Sequence, residues 1–393
     1  VRVLFVTSRF PYPLVQGDRL RGHHQLRILS RRHSIVLITP QPERNREDNL
    51  KAIRPFCEQI EVVFAPPWRS LWRLGRAPFT SLPLQTLYFF DPGFRQRAQT
   101  LLQKRAFDLV HVQLARMAPV VERLANLPKV IDLVDALSLN MTRRVQRERG
   151  VRAWIAAFEA RRLQLYERAL TQQYDELIVS SELDRQAIGE YNNLHVIPNG
   201  VDTEAFPFIE DSRESNTIVF AGRMGYFPNA DAAIWFATEV FPLVRQEAPQ
   251  ARFLIVGADP YAAVRRLGRC PGVVVTRYVP RIQDYLTRAT VVVAPMQAGS
   301  GIQNKVLEAM ACGAPVVATP YALGGIEAND SEHLLVARDR EAFAGQVVRI
   351  MKDRTLALRL ARNARQLVKD KYTWDRSVAM LEQAYCLAMS QRN

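Results

Sequence analysis

The residues whose types and spacing best suit chemistry lie at 295–319, PMQAGSGIQNKVLEAMACGAPVVAT. A strand is expected to end at Pro295 and a helix to begin near Gln303, with Gly299, Ser300 and Gly301 in the loop between. Glycines let a backbone approach a ligand closely. The free N–H groups of a helix's first turn then favour an anion such as a diphosphate. Lys305 adds a full positive charge in that turn. Glu308 falls one turn further along the same side, where a carboxylate can accept hydrogen bonds from two vicinal hydroxyls, as a ribose presents. Val306, Ala309 and Met310 face the other way and read as core, and Gly313 returns the chain to the next strand. The plainer alternative makes Glu308 an exposed helix carboxylate paired with Lys305 at i,i+3.

A second constellation is FAGRMGYFPNADAAIWF (220–236), which places Arg223 at the end of a strand, where a guanidinium can grip a diphosphate bidentately. In the N-terminal half, His111 in DLVHVQ and Asp135 in KVIDLVD both read as strand-end residues. Either could position or deprotonate a hydroxyl. Asp135 could instead cap the next segment, and His111 could be a hydrogen-bonded core residue. Asp132 and Asp135 sit on a strand with two residues between them, so no D-x-D metal pair stands out.

The elements that must position these residues alternate regularly. Strands are expected at 1–7, 34–40, 60–66, 107–113, 129–135, 175–181 and 194–200, with helical stretches such as 19–32 between most of them. Residues 201–215 are polar, carry a proline and read as a linker. A second series then opens, with strands at 216–222, 251–257, 272–278, 289–295 and 314–320. Alternation of this kind implies α/β architecture, with parallel sheets covered on both faces. We therefore expect two Rossmann-like, doubly wound domains, 1–205 and 206–372, and a final helix over 373–393 crossing back to the first. Ligands are expected at the carboxyl ends of the strands, in the cleft between the domains. Residues 339–390 read as wholly helical, with Trp374, Val378, Leu381 and Tyr385 on one packed stripe.

The 295–319 segment resembles the signature of the family 4 glycosyltransferases, retaining enzymes of the GT-B fold. Their helix typically carries two glutamates spaced E-x7-E, and LEAMACGAPVV supplies the second as Glu308. The first would stand at Ser300, so contacts to the donor sugar must differ. A subgroup with G-[ST]-G-I-x-N-K-V-L-E-A-M-A, found in exopolysaccharide gene clusters, is more similar; it lacks that glutamate and has a lysine where Lys305 stands. Arg223 matches the family's strand-end G-R. The usual companion lysine would fall at Pro228, and Lys305 is expected to replace its charge. VIPNGVD (196–202) resembles the interdomain stretch. SRFPYPLVQGDRLRG (8–22) resembles the family's glycine loop, with Gly17 near the donor phosphates. Many members place a histidine where Asp135 falls.

The resemblance implies a retaining hexosyltransferase that takes a sugar from a nucleotide donor, UDP-linked more readily than GDP-linked. The expected donor set is Gly17, Arg223, Gly299, Ser300, Gly301, Ile302, Lys305, Val306 and Glu308. Asp135, His111, Arg223 and Lys305 are the expected catalytic groups. No metal and no further cofactor is expected, since cationic side chains would stabilise the leaving diphosphate. The implied acceptor is a glycan or polyprenyl-linked sugar, in exopolysaccharide or cell-surface glycan synthesis.

A net charge of +14 calls for an anionic partner or reflects a basic proteome. Nucleic acid is disfavoured, because no RNP pattern, helix-turn-helix or zinc spacing accompanies the charge. Four scattered cysteines make neither a zinc site nor a disulfide framework and fit a reducing cytoplasm. The chain opens on VRVLFVT, which reads as a strand and not as a secretory signal. WRSLWRLGRAPFTSLPLQTLYFF (68–90) interleaves arginines with aromatics. It reads either as a helix pair packed on its own core or as a peripheral contact with the cytoplasmic membrane surface. Two rival functions remain: a nucleotide-sugar epimerase of the same fold, and a nucleotide-binding protein without turnover.

Overall fold

The computed structural model describes residues 1–393 except 43–44, 123, 125–126, 147–148, 211–212, 298–300 and 393. The chain divides into two compact units, Val1–Pro198 with Trp374–Asn393, and Asn199–Thr373. The division at Pro198 falls a few residues before the expected boundary.

The first unit is built on β1 (Arg2–Val6), β2 (Ser34–Pro40), β3 (Gln59–Val63), β4 (Leu109–Gln113), β5 (Lys129–Val134), β6 (Glu176–Val179) and β7 (Leu194–Val196). Its sheet order is β3-β2-β1-β4-β5-β6-β7, and every neighbouring pair is parallel. Strands buried on both faces explain the near-continuous runs of Val, Ile and Leu. One face packs Leu4, Val36, Val110, Ile131 and Leu177. The other packs Val3, Phe5, Leu109 and Ile178 against Trp374, Val378, Leu381 and Tyr385 of the C-terminal helix Trp374–Ser390.

The second unit contains β8 (Thr217–Ala221), β9 (Arg252–Val256), β10 (Val273–Val275), β11 (Val291–Ala294), β12 (Val316–Ala318) and β13 (Leu335–Val336). The order is β10-β9-β8-β11-β12-β13, again parallel throughout. In such sheets the crevice for ligands opens where the strand order reverses, at the carboxyl ends. The reversal lies between β1 and β4 in the first unit and between β8 and β11 in the second.

The helical reading of the C-terminal stretch stands with two short breaks, and one short strand was not anticipated. The stretch 339–390 is three helices, Arg340–Lys352, Arg354–Lys371 and Trp374–Ser390. Asp353 breaks the first from the second, its carboxylate accepting from the N–H of Leu356 at 2.9 Å as an N-cap. β13 has only two residues, too short for periodicity to signal.

Candidate functional site

In the second unit, the strand-end arginine and the lysine helix meet at the sheet's reversal point. β8 runs into Gly222 and Arg223; the next element after β11 is the helix Asn304–Ala311. That helix has no side-chain N-cap, so its first-turn N–H groups retain the partial positive charge that suits an anion. It ends in a Schellman arrangement. The N–H of Ala314 donates to Ala309 O and that of Gly313 to Met310 O, with Gly313 at φ 71°. A side chain on Gly313 would also strike Phe208, 2.4 Å from where its Cβ would stand.

Lys305 Nζ donates to Asn229 Oδ1 at 2.9 Å and to Gln303 Oε1 at 3.0 Å. Asn229 Nδ2 in turn donates to the carbonyl of Arg223 at 3.0 Å. One buried amide thus ties the two expected phosphate-binding residues together. Gly222 leaves the room for it: a Cβ there would lie 2.9 Å from Asn229 Nδ2 and 3.4 Å from Lys305 Cε. Gly257, at φ 151°, closes the other side, since a Cβ on it would sit 1.8 Å from Gly222 O.

Lys305 and Glu308 are both half-buried and do not form an ion pair, against the plainer reading of Glu308. Among the described residues the Glu308 carboxylate has no hydrogen-bond partner. Burial pushes it up to about 7, with Lys305 acting in the opposite direction. Burial likewise lowers Lys305 to about 8, partly offset by Glu308. A desolvated ammonium whose partners among the described residues are neutral, and a desolvated carboxylate one turn on, can both strengthen their interactions on meeting a ligand. Arg223 is exposed and paired with Asp259 through Nε and Nη2, both at 3.1 Å.

Other expected donor residues are placed differently. Gly301 is buried at φ 66°, and Gly324 packs so closely on it that a Cβ would fall 1.9 Å from its carbonyl. Ile302 and Val306 are buried in the unit's core. The Val306 side chain lies on the inward side of the helix with Ala309 and Met310, as expected, so its place in the donor set rests on its backbone. Gly299 and Ser300 lie outside the described residues. Gly17 is the first residue of the helix Gly17–Leu29, and a Cβ on it would meet nothing within 4 Å.

In the first unit, Asp135 follows β5 directly. Val134 adopts φ 65°, and the N–H of Asp135 donates back to Leu133 O at 2.9 Å, a γ-turn that a β-branched residue adopts only under strain. Buried Asp132 fastens the strand just before it. Its Oδ2 accepts from Arg21 Nε at 2.6 Å and Gln25 Nε2 at 2.7 Å, and its Oδ1 from the N–H of Val134 at 3.0 Å. Asp135 Oδ1 accepts from Ser180 Oγ at 3.0 Å. Burial, then the neighbouring Asp184, push Asp135 up to about 7, a poise suited to taking a proton near neutrality.

His111 is corrected. It stands in the middle of β4, fully buried, stacked on Phe5 with centroids 4.2 Å apart and joined through Nδ1 to Tyr385 Oη at 2.9 Å. Burial lowers it to about 4, leaving it a neutral core residue with no surface to offer a substrate. Alternation along the strand turns it into the face covered by the C-terminal helix. Asn229 was not anticipated from the sequence. Its signal was present in the FPNAD turn, where a polar residue begins an otherwise apolar helix.

Comparison with known proteins agrees with this architecture. Residues 23–205 match the family model "Glycosyltransferase Family 4", and residues 215–353 match "Glycosyl transferases group 1". The chain belongs to the family 4 glycosyltransferases. The fold is GT-B: the chain is similar to sucrose-phosphate synthase from Thermosynechococcus elongatus, at TM-score 0.75 and 19% identity over 100% of both chains. It is also similar to Anabaena HepE, solved in complex with UDP and glucose, at TM-score 0.69 and 16% identity over 97% of this chain and 98% of that one. A curated relative, an uncharacterized 44.6 kDa protein in the cps region of Klebsiella pneumoniae, is 22% identical over 94% of this chain and 96% of its own.

Proposed function

We propose that the protein is a retaining hexosyltransferase that takes its sugar from a UDP-linked donor, in preference to a GDP-linked one, and passes it to a glycan or polyprenyl-linked acceptor in exopolysaccharide or cell-surface glycan synthesis. The observation that carries this reading is Lys305. Its half-buried ammonium is held by neutral Asn229 and Gln303 at an uncapped helix N-terminus, with the Glu308 carboxylate, unpartnered among the described residues, one turn on. The diphosphate of the donor meets Lys305, the helix N–H groups and Arg223, and the ribose hydroxyls donate to Glu308. As the sugar C1–O bond breaks, its electron pair stays on the diphosphate, and these donors stabilise the charge that develops there. No divalent ion is needed for that task. Asp135 takes the proton that the acceptor hydroxyl loses. The UDP held by HepE supports the base chosen, and the cps-region relative supports the polysaccharide setting.

A cytoplasmic site of action at the membrane surface is part of this proposal. Among the described residues no helix is long and apolar enough to cross a membrane. Two helices of the first unit nevertheless expose large apolar side chains, and one of them is turned inside out. Pro67–Leu74 buries Ser70 and Arg73 and exposes Trp68 (65%), Leu71 (65%) and Trp72 (70%). Val151–Leu170 buries Ala156, Leu163 and Leu170 together with Glu159 and Glu167, yet it also exposes Val151, Trp154, Ile155 and Leu165. The second helix is tied to the segment that follows the first: Glu159 accepts from the N–H groups of Leu84 and Gln85, and Arg162 donates to the carbonyls of Ala77 and Leu82. Exposed aromatics among arginines suit a bilayer interface.

The decisive experiment measures thermal shifts with UDP, GDP and ADP for the wild type, Lys305→Ala and Glu308→Ala. A nucleotide at about a hundredfold its Kd stabilises by roughly 2.7 kcal/mol. A shift with UDP alone, lost in both variants, is expected. No shift with any nucleotide favours a protein without turnover. Release of free UDP from a UDP-sugar without any acceptor favours an epimerase.

A further inference from the structure

The reversal point of the first unit's sheet carries a cationic pair that the proposed reaction has not used. Arg9 follows β1 and Arg116 follows β4, the two strands between which the order turns. Both reach one carboxylate: Arg9 Nη1 lies 3.0 Å and Arg116 Nη2 3.2 Å from Asp18 Oδ2. Arg116 Nε also donates to Ser8 Oγ at 3.0 Å, and its guanidinium lies 4.0 Å from the centre of the Phe89 ring. Arg9 Nη1 donates to Gln16 Oε1 at 3.0 Å and flanks the same ring at 5.5 Å.

The charges do not balance. Arg116 is buried, and its charge is disfavoured first by that burial and then by Arg9, with Asp18 opposing both. Among the described residues two guanidiniums face one carboxylate, which leaves a positive charge over at a partly desolvated pair that an anion could complete. Asp18 itself lies in the first turn of Gly17–Leu29, whose N-cap Gln16 makes no side-chain cap. Guanidiniums stacked on an aromatic face keep their remaining N–H donors in a fixed fork, the geometry that reads phosphate and carboxylate oxygens.

We infer that Arg9 and Arg116 form an oxyanion subsite at the carboxyl edge of the first unit, and that the acceptor carries a phosphate ester or a uronate carboxylate that this pair reads. The inference rests on the transferase reading and narrows its acceptor to an anionic one. Asp135 follows the strand next to β4, so the subsite and the proposed base lie along the same edge, separated by roughly one to two strand spacings of about 5 Å each.

The test titrates protein saturated with UDP, which fills the donor site, with inorganic diphosphate, methyl glucuronide and methyl glucoside, following heat by calorimetry. The variants are Arg9→Ala, chosen because Arg9 is one-third exposed and its loss spares the buried Arg116, Arg9→Lys, and the charge-matched control Arg359→Ala on the second unit. Saturable binding of one anion but not of the neutral glucoside is expected, weakened about tenfold by Arg9→Ala, less by Arg9→Lys, and unchanged by Arg359→Ala. Preference for diphosphate points to a lipid phosphate carrier, and preference for glucuronide to an acidic glycan. No saturable anion binding while UDP still binds overturns the inference and leaves the transferase reading standing. Equal affinity in Arg9→Ala, or competition between the anion and UDP, also overturns it. Failure of UDP itself to bind is the separate failure of the donor reading.

Discussion

The ammonium of Lys305 donates to the side-chain oxygen of Asn229 at 2.9 Å and makes no ion pair with Glu308, its neighbour one turn along the helix. A neutral partner holds the lysine in place without neutralising it, so its charge remains for a ligand. Removing the charge and removing the partner should therefore differ. Lys305→Ala is expected to lower kcat/KM by roughly 10²–10³, as losing an anion-stabilising donor does. Asn229→Ala should cost about 1–2 kcal/mol of stability through the hydrogen bonds lost and lower kcat/KM by roughly tenfold as Lys305 loses its position. Steady-state kinetics with a UDP-sugar, beside thermal melts, separate the two.

UDP affinity should be bell-shaped in pH. Glu308 sits near 7 and accepts ribose hydroxyls best when ionised, so binding rises as pH climbs through 7. Lys305 sits near 8 and loses its charge above that, so binding falls again. Lys305→Arg should remove the upper limb, because a guanidinium stays charged. Calorimetric titrations at several pH values check this, and an upper limb that persists in Lys305→Arg rules the assignment out.

Two glycines should differ in how the same added methyl affects the fold. Gly222→Ala puts a Cβ 2.9 Å from Asn229 Nδ2 and 3.4 Å from Lys305 Cε, so it should weaken UDP binding and lower the Tm. Gly17→Ala meets nothing within 4 Å and should melt with the wild type. If Gly17 lies against donor phosphates, as the family pattern implies, that variant raises KM while leaving the fold untouched. An unchanged KM removes Gly17 from the donor set.

Asp135 should make the protein less stable at high pH. Its folded pKa stands above the unfolded one, so its relative stabilisation is present at low pH and lost as pH rises through about 7. Asp135→Asn keeps an oxygen for Ser180 and removes the buried charge. It should raise stability by roughly 1–3 kcal/mol at pH 8 and by much less at pH 5, while transferase activity falls. Denaturant melts at the two pH values test the sign.

The exposed apolar side chains of the helices Pro67–Leu74 and Val151–Leu170 predict binding to anionic vesicles. Trp68→Ser with Trp72→Ser, and separately Trp154→Ser, should each reduce flotation with phosphatidylglycerol vesicles and leave the Tm nearly unchanged, since these side chains are exposed. Binding should weaken with salt, because the surrounding arginines contribute about 1 kcal/mol each near an anionic surface. Equal flotation of all variants would assign the patch to another role.

Much of this molecule is legible in its sequence, because parallel strands covered on both faces must be almost wholly apolar. The runs of Val, Ile and Leu therefore marked twelve strands and both units, and the glycine-loop-to-helix stretch marked Lys305 and Glu308. Tertiary structure decided what depends on the partner across the fold. Periodicity does not reveal that His111 would meet Phe5 and Tyr385 and become core, nor that Asn229, far from Lys305 in sequence, would hold its ammonium. The same holds for Arg9 and Arg116, which are separated by more than a hundred residues and share a carboxylate only because β1 and β4 are neighbours in the sheet. Local pattern sets which element forms and which face is apolar. The charge balance of a site is set by strand order, which brings together side chains that the sequence keeps apart.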